Sequence, residues 1–223
     1  MSRRLAYTPL HDKPFVWLDT ETTGLNPNLN DIIEIAIIRV ENDGSEKVMH
    51  LFINVERPDN ARPRALEING YTPEKWAERG ALDGAEAWRQ IAESGILEEA
   101  IIAGQNVRFD AAFINASFER HGIESRMDYH LYDTCTLALE HLRPWVTSIS
   151  LVPLCVALGV PVVDAHTALA DTRMTMAVGE KLARANDNDR EDWGLVVPVR
   201  LAAWKKAGKP NVWPPAGGDE NHA

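Results

Sequence analysis

The sequence predicts an α/β protein: a mixed sheet with helices on its faces. Three observations carry that prediction. Strand-like segments open the chain as a meander, and short strands then alternate with helices to about residue 185. The helices carry apolar residues at spacings of three and four, one face each for burial.

The elements follow in order. Residues 1–13 form a basic, then polar, arm. Phe15-Val16-Trp17-Leu18-Asp19 reads as a strand bounded by Pro14, and Ile32 to Val40 as a second. Asn42-Asp43-Gly44 supplies a hairpin turn into a third strand, about Lys47 to Val55. Helical patterning appears at Pro73 to Gly80 and Gly84 to Ser94. Ile101-Ile102-Ala103 is a short buried strand before a helix from about Asp110 to Arg120. His130-Leu131-Tyr132 is another strand, with a helix to about Leu142. Ser150 and Gly159 bracket a further helix as N-cap and C-terminal stop. The last strong helix covers about Ala168 to Ala185. One domain over residues 14–186 accounts for these elements. Asn186 to Asp192 is a polar break, so residues 187–223 read as an appendage with a short helix near Val199 to Ala207.

At 223 residues the chain can bury a substantial core, and its 45% hydrophobic and 25% charged residues are those of an ordinary globular protein. No apolar run reaches the ~18 residues of a membrane helix, and the first residues carry no secretion signal. Cys135 and Cys155 lack metal-ligand spacing, and a reducing cytoplasm is the expected setting. The net charge of −10 argues against a protein that grips a long nucleic acid through its phosphates, which calls for a basic stripe.

Four carboxylates stand where core residues belong. Strand alternation puts Phe15, Trp17, Asp19 and Glu21 on one face and Val16 and Leu18 on the other. Two adjacent acids that continue an apolar face repel, and a divalent cation is the simplest compensation. The plainer explanation is a strand that has already ended in two solvated loop acids. Asp171, Met174, Val178 and Leu182 form one inward helical stripe headed by an acid, which by itself is ordinary for a first helical turn. Asp110 heads a stripe with Phe113, Ile114, Ser117 and Phe118, and capping is its competing role. Three such coincidences are hard to obtain from capping alone.

The same residues match a known pattern. Asp19-Thr20-Glu21-Thr22-Thr23-Gly24-Leu25 closely resembles the first motif of the DEDDh 3′→5′ exonucleases, which include proofreading subunits, RNase T and oligoribonucleases. Asn106-Val107-Arg108-Phe109-Asp110-Ala111-Ala112-Phe113 resembles the second motif, and His166-Thr167-Ala168-Leu169-Ala170-Asp171-Thr172 the third. Order and separations agree over roughly residues 13 to 185. Leu66 to Tyr71 resembles a further family segment, except that histidine is frequent where Asn69 stands. Asp133, in the corner before the third motif, reads as a helix cap.

The resemblance implies an RNase H-like fold with a five-stranded sheet. It also implies two-metal hydrolysis of phosphodiester bonds at 3′ ends, releasing nucleoside 5′-monophosphates. Asp19, Glu21, Asp110 and Asp171 would be the metal ligands, with Asp110 acting on the second ion. His166 would be the general base. Hard oxygen ligands favour two Mg²⁺ ions, with Mn²⁺ able to substitute. Thr22, Thr23, Gly24 and Leu25 would hold and wedge the terminal nucleotide, with Asn69, Asn106, Phe109 and Phe113 as further candidates around it. Metals then supply the positive charge that the composition lacks. Single-stranded DNA is placed slightly ahead of RNA. The alternatives are a non-catalytic accessory or scaffold module and an RNA-trimming or oligoribonucleotide hydrolase. A homodimer or a polymerase or repair partner stays open. In the tail, Trp193 and Trp204 are assigned to packing ahead of strand stacking.

Overall fold

The structure is a computed structural model that describes residues 10–163, 165 and 167–213. Three strands open it: β1 (Phe15–Thr22), β2 (Ile32–Val40) and β3 (Glu46–Phe52). Both neighbouring pairs are antiparallel, and the turn between β2 and β3 is tied by Asp43, whose Oδ1 accepts from Ser45 N. β3 ends at Phe52, short of the expected Val55. Beyond it Asn54 N donates to Leu82 O, so the chain turns away from β2.

Three helices follow: α1 (Pro63–Ile68), α2 (Pro73–Glu78) and α3 (Gly84–Ser94). Next come β4 (Ile101–Gly104), α4 (Arg108–Arg120), β5 (Leu131–Asp133) and α5 (Thr134–Leu142). β4 and β5 add in parallel, completing a five-stranded mixed sheet in the order β3-β2-β1-β4-β5. α6 (Leu151–Leu158), α7 (Ala168–Ala183) and α8 (Asp187–Lys206) finish the described chain. α6 stops at Gly159, whose φ of 65° is the left-handed conformation that glycine adopts without steric penalty.

Alternation in β1 sorts the core into two layers. Val16 and Leu18 pack with Ile35, Ile37 and the apolar faces of α3 and α4. Trp17, on the opposite face, packs with Ile38, Ala103 and Met176 of α7. Contact there is close: a Cβ at Gly179 of α7 would sit 2.3 Å from Trp17 Cη2. β2 is buried continuously from Ile32 to Ile38, as a strand covered on both faces must be.

The end of the chain differs from the sequence expectation. The polar break at 186–192 lies at the start of α8, because Asn186 accepts from Asn188 N and Asp189 N while Asp189 returns a bond to Asn186 N. Polar side chains that cap a helix look in sequence like a loop. Pro198 lies inside α8, where its ring and missing N–H work against a helix. Val197, Leu201 and Trp204 pack into the same buried cluster as α6 and α7, and Trp193 lies against it. No described helix is long and apolar enough to cross a membrane.

Candidate active site

The carboxylates meet at the C-terminal end of β1. Asp19 and Glu21 project from one face, and the register of the pairing with β2 shifts between Glu21 and Thr22, where the strand ends. α7 crosses that face with its N-terminus near the strand end, and Asp171 is its fourth residue. The stripe below Asp171 is inward as predicted: Met174, Val178 and Leu182 are all buried. Asp19, Glu21 and Asp171 each present one oxygen such that the three lie within 4.8 Å of one another.

Asp110 approaches from the other side. It is the third residue of α4, whose cap position is Val107, so it is not the helix cap. Only 3% of it is exposed, and its Oδ1 accepts the Thr20 hydroxyl at 2.6 Å. Thr20 points to the β1 face opposite Asp19 and Glu21, so two helices bring acids to one strand end from two sides.

Packed together, these acids resist ionisation. Burial, then Asp110, Asp171, Glu21 and Glu34 in turn, push Asp19 well above the usual carboxylate range. Burial, followed by repulsion from Asp171 and Glu34, lifts Glu21 to about 8. Burial lifts Asp110 to about 7, against the lowering effect of the Thr20 bond. A cluster of hard oxygen ligands so poor in positive charge suits a cation, which would restore the ionised forms.

The other candidates divide. Thr22 Oγ1 donates to Gly24 O (2.7 Å), and Thr22 O accepts from Asn69 Nδ2 (3.0 Å), so Asn69 braces the loop from α1's C-terminus. Thr23 is fully buried, and its N, O and Oγ1 bond to Asp31 O, Arg62 N and Asp31 N. Gly24 lies against Asn30, whose Oδ1 would be 2.5 Å from an added Cβ. Leu25 alone of this run stands out, 84% exposed. Asn106 has φ 56°, which asparagine tolerates, and its N–H bonds to Asp133 Oδ1. Asp133 also accepts from Cys135 N as the cap of α5, the role read for it from sequence. Phe113 belongs to the core, 1% exposed, and half-buried Phe109 packs on it with ring centroids 4.7 Å apart. His166 lies outside the described residues.

Sequence reasoning passed over Glu34. It faces Glu21 across the β1–β2 pairing, 2% exposed. The signal was present: a single charge inside Ile32-Ile33-Glu34-Ile35-Ala36-Ile37-Ile38, a run too apolar to hold an unpartnered acid.

A five-stranded mixed sheet with acids from β1, α4 and α7 at one strand end is the frame of an RNase H-like nuclease. The comparisons make the assignment particular. The profile of the RNase_T family, described as exonuclease, matches residues 16–178. The chain therefore belongs to that exonuclease family. It is 30% identical over 177 residues to Ribonuclease T of Shewanella baltica, covering 72% of this chain and 77% of that protein. It is 31% identical over 169 residues to a PolC-type DNA polymerase III of Pediococcus pentosaceus, covering 76% of this chain but 11% of that one. Among solved structures, E. coli exonuclease I in complex with a dT13 oligonucleotide has a TM-score of 0.66 at 25% identity, over 86% of this chain and 46% of that one. A moderately thermophilic exonuclease I from Methylocaldum szegediense has a TM-score of 0.62 at 27% identity, over 82% of this chain and 42% of that one. The chain thus spans less than half the length of these exonuclease I chains.

Proposed function

We propose that the protein removes nucleotides one at a time from the 3′ end of single-stranded nucleic acid, DNA slightly ahead of RNA, releasing nucleoside 5′-monophosphates. The observation that carries the proposal is the convergence of Asp19, Glu21 and Asp171 within 4.8 Å, with Asp110 buried beside them. In this reading Asp19, Glu21 and Asp171 hold one Mg²⁺, and Asp110 serves a second; Mn²⁺ substitutes. When bound, such cations lower the pKa of water and offset charge on the phosphate. His166 takes the proton from the attacking water, a role suited to imidazole near neutral pH.

The surroundings fit a short strand. In this reading Leu25, exposed on the loop after β1, wedges against the terminal base, the Thr22–Gly24 backbone braced by Asn69 holds the nucleotide, and Asn106 and Phe109 are further contacts. A groove of about 550 Å³, lined by His50, Phe52, Arg79, Thr167, Ala170 and Arg173 among others, opens beside the N-terminus of α7. Its two arginines offer phosphate contacts on an otherwise acidic protein. The dT13 bound to exonuclease I favours DNA, and the Ribonuclease T relatives favour the RNA-trimming alternative. A homodimer or a polymerase partner is compatible with this activity. A cytoplasmic setting goes with the two free thiols.

The test uses 5′-labelled single-stranded DNA, duplex DNA and RNA, with Mg²⁺ or chelator, beside an Asp171→Ala variant. A ladder that shortens from the 3′ end, and needs both metal and Asp171, is the expected result. Metal-independent cleavage, or none of any substrate, overturns the proposal; the order of rates ranks DNA against RNA.

A further inference from the structure

The buried Glu34 has a geometry that neither the motifs nor the carboxylate cluster uses. Its Oε1 lies 2.8 Å from His50 Nε2 and accepts the backbone N–H of Ala168 at 3.1 Å. Ala168 is the first residue of α7. The first N–H groups of any helix lack partners within it, and a local side chain commonly serves them. Here the cap position is Thr167, which makes no side-chain cap bond. The acceptor comes instead from 134 positions earlier, in β2.

We propose that Glu34 is a positioning residue: it clamps the N-terminus of α7 to the sheet and so aims Asp171 at Asp19 and Glu21. His50 holds the Glu34 carboxylate in its capping orientation. It occupies β3 opposite Ala36, on the same sheet face and diagonal to Glu34, within reach for such a pair. Asp171 is the fourth residue of α7, inside the turn that frays first when a helix start loses its acceptor. An acid at this point also favours the positive end of the helix dipole. A second acid facing Glu21 raises the repulsion at the site, so an apolar residue would be the simpler choice for β2 unless the clamp were needed.

The proposal rests on the exonuclease reading for its kinetic arm only. Glu34→Ala, Glu34→Gln and His50→Ala are made in the full chain, and circular dichroism checks that each folds. Glu34→Ala is expected to lower kcat by about 10–100-fold, as loss of a group that orients a metal ligand does, with KM little changed. Amide hydrogen exchange at Ala168 to Asp171 should accelerate in parallel. Glu34→Gln keeps an oxygen acceptor, so it should recover most of both losses. His50→Ala should move both readouts the same way by a smaller factor, and it carries the test if Glu34→Ala does not fold. Native exchange in Glu34→Ala, or in His50→Ala where that variant stands in, overturns the clamp. So does a Glu34→Gln variant as impaired as Glu34→Ala, which would assign the charge rather than the acceptor. Should the wild-type chain cleave no nucleic acid, the exchange pattern alone upholds or overturns the clamp.

Discussion

The Thr20 hydroxyl donates to Asp110 Oδ1 at 2.6 Å, joining β1 to α4 behind the carboxylate cluster. Thr20 thus steers an acid while pointing away from the face that carries Asp19 and Glu21. Thr20→Val keeps the shape and removes the donor. Asp110, already lifted to about 7, then rises further, because the lost bond is the largest influence holding it down. We expect kcat/KM to fall by about 10–100-fold and stability by about 1–3 kcal/mol. Initial rates and urea melts check this, and unchanged rates would remove Thr20 from the site.

In the proposed mechanism, metal and pH act on the same groups. Glu21 rises from 4.5 to about 8 and Asp110 from 3.8 to about 7 on folding. Between those limits the folded chain binds more protons than the unfolded one, so without metal its stability falls as pH rises through the window. A divalent cation held by these carboxylates would displace those protons and oppose the trend. The metal-free melting temperature should be lower at about pH 8 than at about pH 5.5, and Mg²⁺ should raise it more at the higher pH. Equal Mg²⁺ shifts at both values would contradict the site.

Leu25 is the prominent apolar side chain on the loop after β1. If it wedges the terminal base, Leu25→Ala loses burial only when substrate is bound. The expected loss is about 5–30-fold in kcat/KM, with the melting temperature unchanged. A change in melting without a change in kinetics would assign Leu25 to folding instead.

Gly179 seats α7 on Trp17. With Cη2 only 2.3 Å from an added Cβ, and Cζ3 at 2.9 Å, Gly179→Ala forces the indole or the helix to move. Overpacking of this kind costs about 1–3 kcal/mol. Moving α7 also displaces Asp171, so Mg²⁺ activation should shift to higher concentration. Denaturant melts and a Mg²⁺ titration measure the two effects, and a silent substitution would show that the contact is loose.

Much of the site was legible because side-chain direction follows local period. Alternation along Phe15 to Glu21 sorted β1 into the two faces that form separate core layers. The stripe Asp171–Met174–Val178–Leu182 placed an acid at the inward head of α7. The same local logic misjudged Asn186 to Asp192, since the residues that cap α8 have the composition of a loop.

What periodicity could not supply is which inward groups meet. Asp110 looked equivalent to the other acids, yet the packing of α4 sets it behind β1 on a threonine hydroxyl. Thr23 stood in the motif beside Leu25, but its groups are consumed by Asp31 and Arg62. Glu34 finds its partners on β3 and α7, one of them 134 residues away. Local pattern tells each side chain which way to face, because backbone geometry repeats over two or 3.6 residues. The distances that make a site depend on how the sheet and helices dock, and no short window of chain contains them.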